Sequence, residues 1–322
     1  IVSREQNYQL ELRSGICCVE DSDASDINSL LDRANMALKT IKMKGAAQWK
    51  FYDRTMRDKL LREKDLEIRM EKALADGEFL VYIQPKYWVG TRALAGGEAL
   101  VRWKSPDQGF LSPGEFIPLF EKNRFIVKLD QFMFTSVCGL LRQWLDAGIE
   151  PRPLSVNVSR MQFHTPDFVE RYIRIKSLYA IPDGLLELEF TESIFFDNVA
   201  LLSSAVHELR RAGIKCSIDD FGAGYSSLNV LKALPVSVLK LDGMFFRTAK
   251  DDEQAKIVIR NIMRMAGELK MATVAEGVET HEQVAFLETT GCDIIQGYVF
   301  ARPMPAAEFT ELLAGEGGHA EH

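Results

Sequence analysis

Short apolar runs alternate with longer segments of helical periodicity from residue 78 onward, and this alternation constrains the fold more than any other feature. The apolar runs span residues 80–83, 93–103, 153–158, 185–190, 215–218, 236–241, 271–275 and 294–300. Between most of them lie helical patterns at residues 131–146, 167–178, 198–212, 253–269 and 281–289. Eight strand candidates in this rhythm predict an α/β fold, a (β/α)8 TIM-type barrel. A doubly wound open sheet is the alternative, because periodicity alone cannot show that a sheet closes.

The chain on either side of the barrel predicts three further segments. Residues 1–54 predict a small N-terminal α/β fragment, with a strand over 8–18, a helix over 26–41 capped by Ser25 or Asp26, and a closing strand over 49–52. So short a segment makes a poor independent core, and we interpret it as part of a domain. Residues 55–77 are highly charged and predict a linking helix, the barrel extends over 78–314, and residues 315–322 predict a flexible tail.

Composition excludes several classes of function. The formal net charge of −7, without a polybasic block, argues against a nucleic-acid polymer as a partner. No apolar run reaches the roughly 18 residues that span a bilayer, so we expect no membrane segment in this chain. Five cysteines, odd in number and without metal-type spacing, indicate a reduced compartment. We therefore expect a cytoplasmic protein, or the cytosolic part of a larger, membrane-anchored one, since Ile1 is an unusual native start.

Two adjacent carboxylates, Asp219 and Asp220, end a short apolar run and are followed closely by two glycines. Like charges so close together raise each other's pKa unless a cation or hydrogen bonds lie between them, and hard divalent metals take carboxylate ligands. A solvated strand end followed by a turn is the alternative, because Asp and Gly are common in turns. This stretch alone leaves both possibilities open.

Polar residues on other predicted strands help to decide between a metal site and a solvated strand end. Side chains alternate faces along a strand, and in several runs the polar positions lie opposite the large apolar ones, mostly toward the carboxyl end. These positions are Asn157, Glu187, Glu189, Asp219, Lys240 and Glu276, and Glu98 and Gln296 could face the same barrel mouth. Unpaired charges are costly to bury, so we favour a metal site over a structural ion network. Oxygen ligands without a nearby His or Cys indicate Mg²⁺ or Mn²⁺, and two such ions sharing an aspartate would suit in-line hydrolysis of a phosphate ester.

The sequence Glu98-Ala99-Leu100, followed by Arg102, and the sequence Asp219-Asp220-Phe221-Gly222 are two of several motifs in this chain. These motifs resemble those of EAL-domain phosphodiesterases, bacterial enzymes that open the second messenger cyclic di-GMP to the linear dinucleotide pGpG. The likeness covers about residues 69–313, with the motifs in the same order along the chain. They are Gln84-Pro85-Lys86, Glu98-Ala99-Leu100 with Arg102, Ser112-Pro113, Asn157-Val158-Ser159, Glu189-Phe190-Thr191-Glu192, Asp219-Asp220-Phe221-Gly222, Lys240-Leu241-Asp242, Ala275-Glu276-Gly277-Val278-Glu279 and Gln296-Gly297-Tyr298. The resemblance implies a barrel fold and hydrolysis of cyclic di-GMP with two Mg²⁺ or Mn²⁺ ions.

The same resemblance implies roles by position. The implied metal ligands are Glu98, Asn157, Glu189, Asp219 and Asp220, with Asp219 as the bridging group. The implied catalytic residues are Glu276 and Lys240, which would position and deprotonate the attacking water, with Glu98 and Gln296. The implied substrate contacts are Arg102, Gln84 and Asp220. Glu192 would brace the loop at 220–227, which in this family couples the metal site to dimerisation. Because all these positions are filled, we favour an enzyme over a non-catalytic cyclic di-GMP receptor or protein-interaction module on the same fold.

Residues 14–53 begin with Ser14-Gly15-Ile16 and end with Phe51-Tyr52-Asp53, and this segment resembles the C-terminal third of a GGDEF (diguanylate cyclase) domain. The likeness is carried by Ser14-Gly15-Ile16, Asp32-Arg33-Ala34-Asn35, Lys42 and Phe51-Tyr52-Asp53. Asn35 and Lys39 stand where that family usually has Asp and Tyr, and the segment has no Gly-Gly-Asp-Glu-Phe sequence, so we expect no cyclase site.

The EAL resemblance further implies a homodimer formed through the loop and helix after Asp220.

Overall fold

The structure is a computed structural model that describes residues 2–3, 6–7, 12–19, 26–41, 48–192, 194, 199–222, 235–248 and 252–317. The chain divides into two compact units, Ile1–Lys72 and Ala73–His322. The described helices are α1 (Ile27–Lys39), α2 (Arg54–Ala75), α3 (Pro113–Lys122), α4 (Ile126–Asp146), α5 (Phe168–Leu178), α6 (Val199–Arg211), α7 (Met244–Thr248), α8 (Glu253–Glu268), α9 (His281–Glu288) and α10 (Ala306–Gly317). The described strands are β1 (Val2–Ser3), β2 (Gln6–Asn7), β3 (Ser14–Ile16), β4 (Trp49–Phe51), β5 (Phe79–Trp88), β6 (Leu94–Ser105), β7 (Gly109–Leu111), β8 (Leu154–Asn157), β9 (Leu186–Thr191), β10 (Lys215–Phe221), β11 (Val238–Leu241), β12 (Ala272–Ala275), β13 (Ile294–Ile295) and β14 (Met304–Pro305).

The first unit is built around β3 and β4, which pair in parallel. Parallel neighbours need a crossover connection, and α1 lies between these two strands in the chain. Asp26 caps α1, because its carboxylate accepts hydrogen bonds from the backbone N–H groups of Asn28 and Ser29 at 2.6 and 3.0 Å. Of the strand predicted over 8–18, residues 8–11 lie outside the described residues, and within 12–18 the structure has a strand only at Ser14–Ile16.

The second unit contains a closed barrel of eight strands in the order β5, β6, β8, β9, β10, β11, β12 and β13, which returns to β5. The pairs from β6 to β13 are parallel, whereas β5 is antiparallel to both of its neighbours. Residues 89–93 join β5 to β6, and a connection this short cannot hold a crossover helix, so the two strands form a hairpin. The predicted (β/α)8 TIM-type barrel is confirmed, with its first strand reversed, and the doubly wound alternative is wrong because the sheet closes.

The two faces of the barrel strands differ in chemistry. Leu186, Leu188 and Phe190 on β9 are fully buried in the hydrophobic core, which continues into the surrounding helices. Glu187 and Glu189 alternate with them and are also buried. Because Glu189 contacts lysines on β5 and β11, which are not its sheet neighbours, the polar face of β9 points into the barrel interior. The strand parity deduced from the sequence therefore places charged groups inside the barrel.

The last predicted strand is shorter than its apolar run. Residues 294–300 were expected to form one strand, but the structure has a strand only at Ile294–Ile295. A Cβ added at Gly297 would lie 2.0 Å from the carbonyl oxygen of Val278, so the backbone here leaves the sheet and packs on the loop after β12. The N–H of Val299 donates to that same carbonyl at 3.1 Å. This turn puts Gln296 at the barrel mouth.

Within the described part of the chain, no helix has both the length and the apolar content that a bilayer span requires.

Candidate active site

Lys240, on β11, lies at the centre of the barrel mouth formed by the carboxyl ends of the parallel strands, and it is fully buried. Its Nζ atom lies 2.6 Å from Oε1 of Glu276 and 2.5 Å from Oε2 of Glu189. The same Nζ lies 3.1 Å from Oδ1 of Asp219 and 3.4 Å from Oε2 of Glu98. Four carboxylates that are far apart in the sequence therefore converge on one ammonium group.

A second buried lysine lies beneath Glu189. The Nζ atom of Lys86, on β5, lies 2.9 Å from Oε1 of Glu189 and donates a hydrogen bond to Oγ of Ser155 at 2.7 Å. Glu189 is thus placed between Lys86 and Lys240, with one carboxylate oxygen toward each.

Amide side chains hold Glu98 at the rim of the mouth. Nδ2 of Asn157 donates to Oε1 of Glu98 at 2.6 Å, and Nε2 of Gln296 donates to Oε2 of Glu98 at 2.6 Å. Nε2 of Gln296 also lies 3.2 Å from Oε1 of Gln84, whose own amide donates to the carbonyl of Ala301. Four of the residues predicted for the site therefore form one hydrogen-bonded group.

Three carboxylates form a compact oxygen cluster. One oxygen from each of Asp219, Asp220 and Glu276 lies within 4.8 Å of the other two. Strict alternation along β10 would point Asp219 and Asp220 to opposite faces. Asp220 instead adopts a left-handed backbone conformation with φ of 52°, and the register between β10 and β11 shifts here, so both carboxylates reach the same mouth.

Burial and nearby carboxylates together raise the pKa of three carboxyl groups at the mouth, Glu98, Asp220 and Glu276. Burial raises the pKa of Glu276 and of Glu98 above the ordinary range, and neighbouring carboxylates raise it further while Lys240 opposes them. Burial, followed by the charges of Asp219 and Asp242, raises the pKa of Asp220 to about 6. These carboxyl groups therefore hold a proton more readily than isolated carboxylates do.

Glu189 behaves differently because two lysines face it. Burial alone would raise its pKa, but Lys240 and Lys86 outweigh burial and lower the pKa of Glu189 to about 2. When the five carboxylates (Glu98, Glu189, Asp219, Asp220 and Glu276) and the two lysines are all ionised, the mouth has a formal surplus of three negative charges. A surplus of this size in a largely enclosed site is costly unless protons or a further cation compensate for it.

Glu192 lies beside the segment that follows Asp220. Its Oε2 atom accepts a hydrogen bond from the backbone N–H of Gly222 at 3.2 Å. Gly222 has a φ of 93°, and a Cβ there would lie 2.2 Å from the ring of Phe245. The structure thus places Glu192 against the start of the predicted loop, whereas residues 223–234, which include the rest of it, lie outside the described residues.

Two cavities adjoin the carboxylates. One, of about 370 Å³, is lined by Gln84, Glu98, Asp219, Asp220, Glu276 and Gln296. The other, of about 660 Å³, is lined by Arg102 together with Asn157, Asp220 and Glu192. The Arg102 guanidinium lies 5.5 Å from the centre of the Tyr82 ring and donates to the carbonyl of Val101. Of the residues expected to contact substrate, Gln84 lines the first cavity, Arg102 lines the second and Asp220 lines both.

Lys86 and Asp130 are buried charges near the site that have no role in the sequence-based predictions. Lys86 shares strand parity with Gln84, and that parity is the signal that could have placed it in the interior. Asp130 interrupts an apolar helical pattern, and in the structure its Oδ2 accepts hydrogen bonds from the N–H of Ser159 at 3.0 Å and from Gln162 at 3.2 Å. Burial raises the pKa of Asp130 to about 7.

The sequence pattern of the EAL domain family matches residues 68–303. The cyclic di-GMP phosphodiesterase NbdA of Pseudomonas aeruginosa is 34% identical over 292 residues, which are 91% of this chain and 37% of that protein. MucR of the same organism, named a bifunctional diguanylate cyclase/cyclic di-GMP phosphodiesterase, is 32% identical over 292 residues, which are 91% of this chain and 43% of that protein.

Solved structures agree with these relatives. The PaMucR phosphodiesterase in its c-di-GMP complex matches with a TM-score of 0.72 and 35% identity, over 76% of this chain and 99% of that chain. The chain spans between 35% and 43% of the length of eight curated relatives, which include NbdA and MucR.

Proposed function

The chain belongs to the EAL domain family, and from that premise we propose that it hydrolyses cyclic di-GMP to pGpG at the mouth of its barrel, lowering the level of this second messenger in bacterial signalling. The observation that carries the proposal is the cluster of Asp219, Asp220 and Glu276, whose oxygens lie within 4.8 Å of one another beside the buried Lys240. Two relatives that the chain matches are named cyclic di-GMP phosphodiesterases.

The donor set fits a hard divalent cation. Its charged donors are carboxylates, the amide of Asn157 lies among them, and the mouth has a formal surplus of negative charge. We propose that Glu98, Asn157, Glu189, Asp219 and Asp220 would hold two Mg²⁺ or Mn²⁺ ions. Ions bound there would supply Lewis-acid activation of a water and neutralise charge on the phosphodiester.

The protein's own groups supply proton handling and orientation. Glu276 is open to the cavity and accepts the proton of the attacking water, while Lys240 at 2.6 Å holds its carboxylate in place. The water oxygen bonds to phosphorus as the P–O3′ bond breaks. One proton, equivalent to the one that Glu276 accepts, ends on O3′, which remains part of the linear dinucleotide. Gln296 keeps Glu98 oriented through their 2.6 Å hydrogen bond, and Arg102 and Gln84 contact the dinucleotide.

Turnover of cyclic di-GMP by the full chain tests this function. We expect pGpG to form with Mg²⁺ or Mn²⁺ and not after the metal is removed with EDTA, and we expect Glu98→Ala to abolish the reaction. Unchanged turnover in Glu98→Ala would show that the site is assigned wrongly. Tight binding of cyclic di-GMP without turnover in either metal would favour the receptor alternative.

We also propose that residues 14–53 derive from a GGDEF domain and retain no cyclase site. The parallel β3–β4 pair with α1 between its strands supports this, as does a relative named a bifunctional cyclase and phosphodiesterase whose match covers 91% of this chain. Because residues 14–53 are proposed to lack a cyclase site, we expect the full chain to form no cyclic di-GMP from GTP. Detectable synthesis would contradict this proposal.

We propose that the chain forms a homodimer through the loop and helix after Asp220. We also propose that it works in a reduced, cytoplasmic compartment. Exposed apolar side chains on the described helices that follow support the homodimer, since Met244 is 62% exposed and Ile257 is 52% exposed. Sedimentation of the full chain tests the dimer, and monomer alone at high concentration would contradict it.

A further inference from the structure

Glu189 is held by two lysines at once. The Nζ atom of Lys86 lies 2.9 Å from its Oε1, and the Nζ atom of Lys240 lies 2.5 Å from its Oε2. The side chains of Glu189 and Lys240 are fully buried and that of Lys86 is 7% exposed, so solvent screens neither contact. Each oxygen of this carboxylate therefore has its own cationic partner.

The two lysines differ in what else they touch. Lys240 also faces Glu98, Asp219 and Glu276, so its position depends on the whole mouth. Lys86 contacts Ser155, whose Oγ accepts its hydrogen bond at 2.7 Å and lies 3.4 Å from the carbonyl of Gly97. Lys86 is thus anchored to the barrel wall through β8, and it contacts a different oxygen of Glu189 from the one that Lys240 contacts.

We infer that Lys86, held in place by Ser155, clamps Oε1 of Glu189, so that Oε2, which contacts Lys240, is the oxygen turned toward the other carboxylates of the mouth. This inference rests on the proposed function, in which Glu189 holds a divalent cation. A carboxylate free to turn can offer either oxygen or both, whereas a clamped carboxylate offers one oxygen in one direction. Lys86 is therefore a positioning residue that acts through Glu189, and removing partners of this kind typically costs 10–100-fold in metal affinity or activity.

The positive charge of Lys86, taken alone, predicts the opposite effect on metal affinity. Lys86 is a cation close to a site that attracts cations, and its removal should tighten metal binding if electrostatic repulsion were its main effect. The clamp predicts weaker binding, because Glu189 loses its fixed orientation. The sign of the change in Mn²⁺ affinity therefore separates the two explanations.

The experiment measures Mn²⁺ binding to the metal-free full chain by titration calorimetry, in the wild type and in three variants. Lys86→Met removes the clamp, and Ser155→Ala loosens it while keeping every charge in the barrel. Lys176→Met is the matched control, because Lys176 is also buried and its Nζ lies 2.5 Å from Asp183 and 2.8 Å from the carbonyl of Ala212, outside the site. Circular dichroism and thermal unfolding report the fold of each variant.

We expect Lys86→Met to bind Mn²⁺ about tenfold or more weakly and Ser155→Ala a few-fold more weakly, with Lys176→Met less stable but unchanged in Mn²⁺ affinity. Equal or tighter binding by Lys86→Met would overturn the clamp, and so would an equal loss in Lys176→Met. If Lys86→Met does not fold, Ser155→Ala decides: weaker binding supports the clamp and unchanged binding overturns it. Wild-type protein that binds no Mn²⁺ would overturn the proposed metal site itself, a failure distinct from that of the clamp.

Discussion

The Nζ atom of Lys240 lies 2.6 Å from Oε1 of Glu276, with the lysine fully buried and 17% of the glutamate side chain exposed. Glu276 is therefore held from inside the barrel and remains open to the cavity that the substrate would enter. This arrangement suits a group that must accept a proton at a fixed place.

Glu276→Gln should lower kcat for cyclic di-GMP by about 10²–10⁴-fold, because the amide is nearly isosteric but cannot accept a proton in the same way. Initial rates of pGpG formation at saturating substrate measure the effect. Glu268→Gln is the control, since Glu268 is exposed on α8 and pairs with Arg264 at 3.0 Å, and it should keep wild-type turnover. Turnover of Glu276→Gln within a few-fold of wild type would remove Glu276 from the mechanism.

Glu192→Ala should reduce turnover by about 10-fold or more while leaving the barrel folded. The substitution removes the oxygen that accepts the N–H of Gly222 at 3.2 Å, and that bond orders the backbone just after Asp220. Glu192→Gln keeps an acceptor oxygen and should lose much less. Turnover rates of the two variants test this prediction, and circular dichroism checks that their helical contents are equal. An equal loss of turnover in both variants would show that the hydrogen bond to Gly222 does not cause the effect.

Gly222→Ala should lower the free energy of unfolding by about 1–3 kcal/mol. Its φ of 93° disfavours any L side chain, and the added Cβ would lie 2.2 Å from the Phe245 ring. Gly267→Ala is the matched change, since its Cβ meets nothing within 4 Å on α8, and it should be neutral or stabilise by up to about 1 kcal/mol. Urea unfolding of both variants measures the difference. Equal stability of the two would contradict the strain at Gly222.

Asp130 should make stability fall as the pH rises. Burial raises its folded pKa from 3.8 to about 7, so between these values the folded state keeps a proton that the unfolded state has lost. The contribution is fully present below about pH 4 and is lost by about pH 7, a change on the order of 4 kcal/mol. Asp130→Asn keeps an oxygen to accept from Ser159, so urea unfolding at pH 5 and pH 8 should show a smaller drop in this variant. An identical drop would show that Asp130 ionises normally.

Strand parity predicted which side chains enter the barrel because it needs only local geometry. Glu189 and Lys240 lie inside as the alternation of their strands indicates. Parity could not predict the direction of Asp220, because its left-handed backbone breaks the alternation. It also could not predict that β5 runs antiparallel, although the short connection over residues 89–93 is the signal for it.

The sequence by itself determined the alternation of strands and helices, the polar residues of the barrel mouth and the family to which the chain is similar. These properties depend on periodicity and on residue identity, both of which are local. Only the tertiary structure decided that the sheet closes and which charges touch. Lys86 and Glu189 are 103 positions apart, and a barrel brings them within 2.9 Å across strands that are not neighbours. No local pattern encodes such a contact, because it arises from closure of the whole sheet.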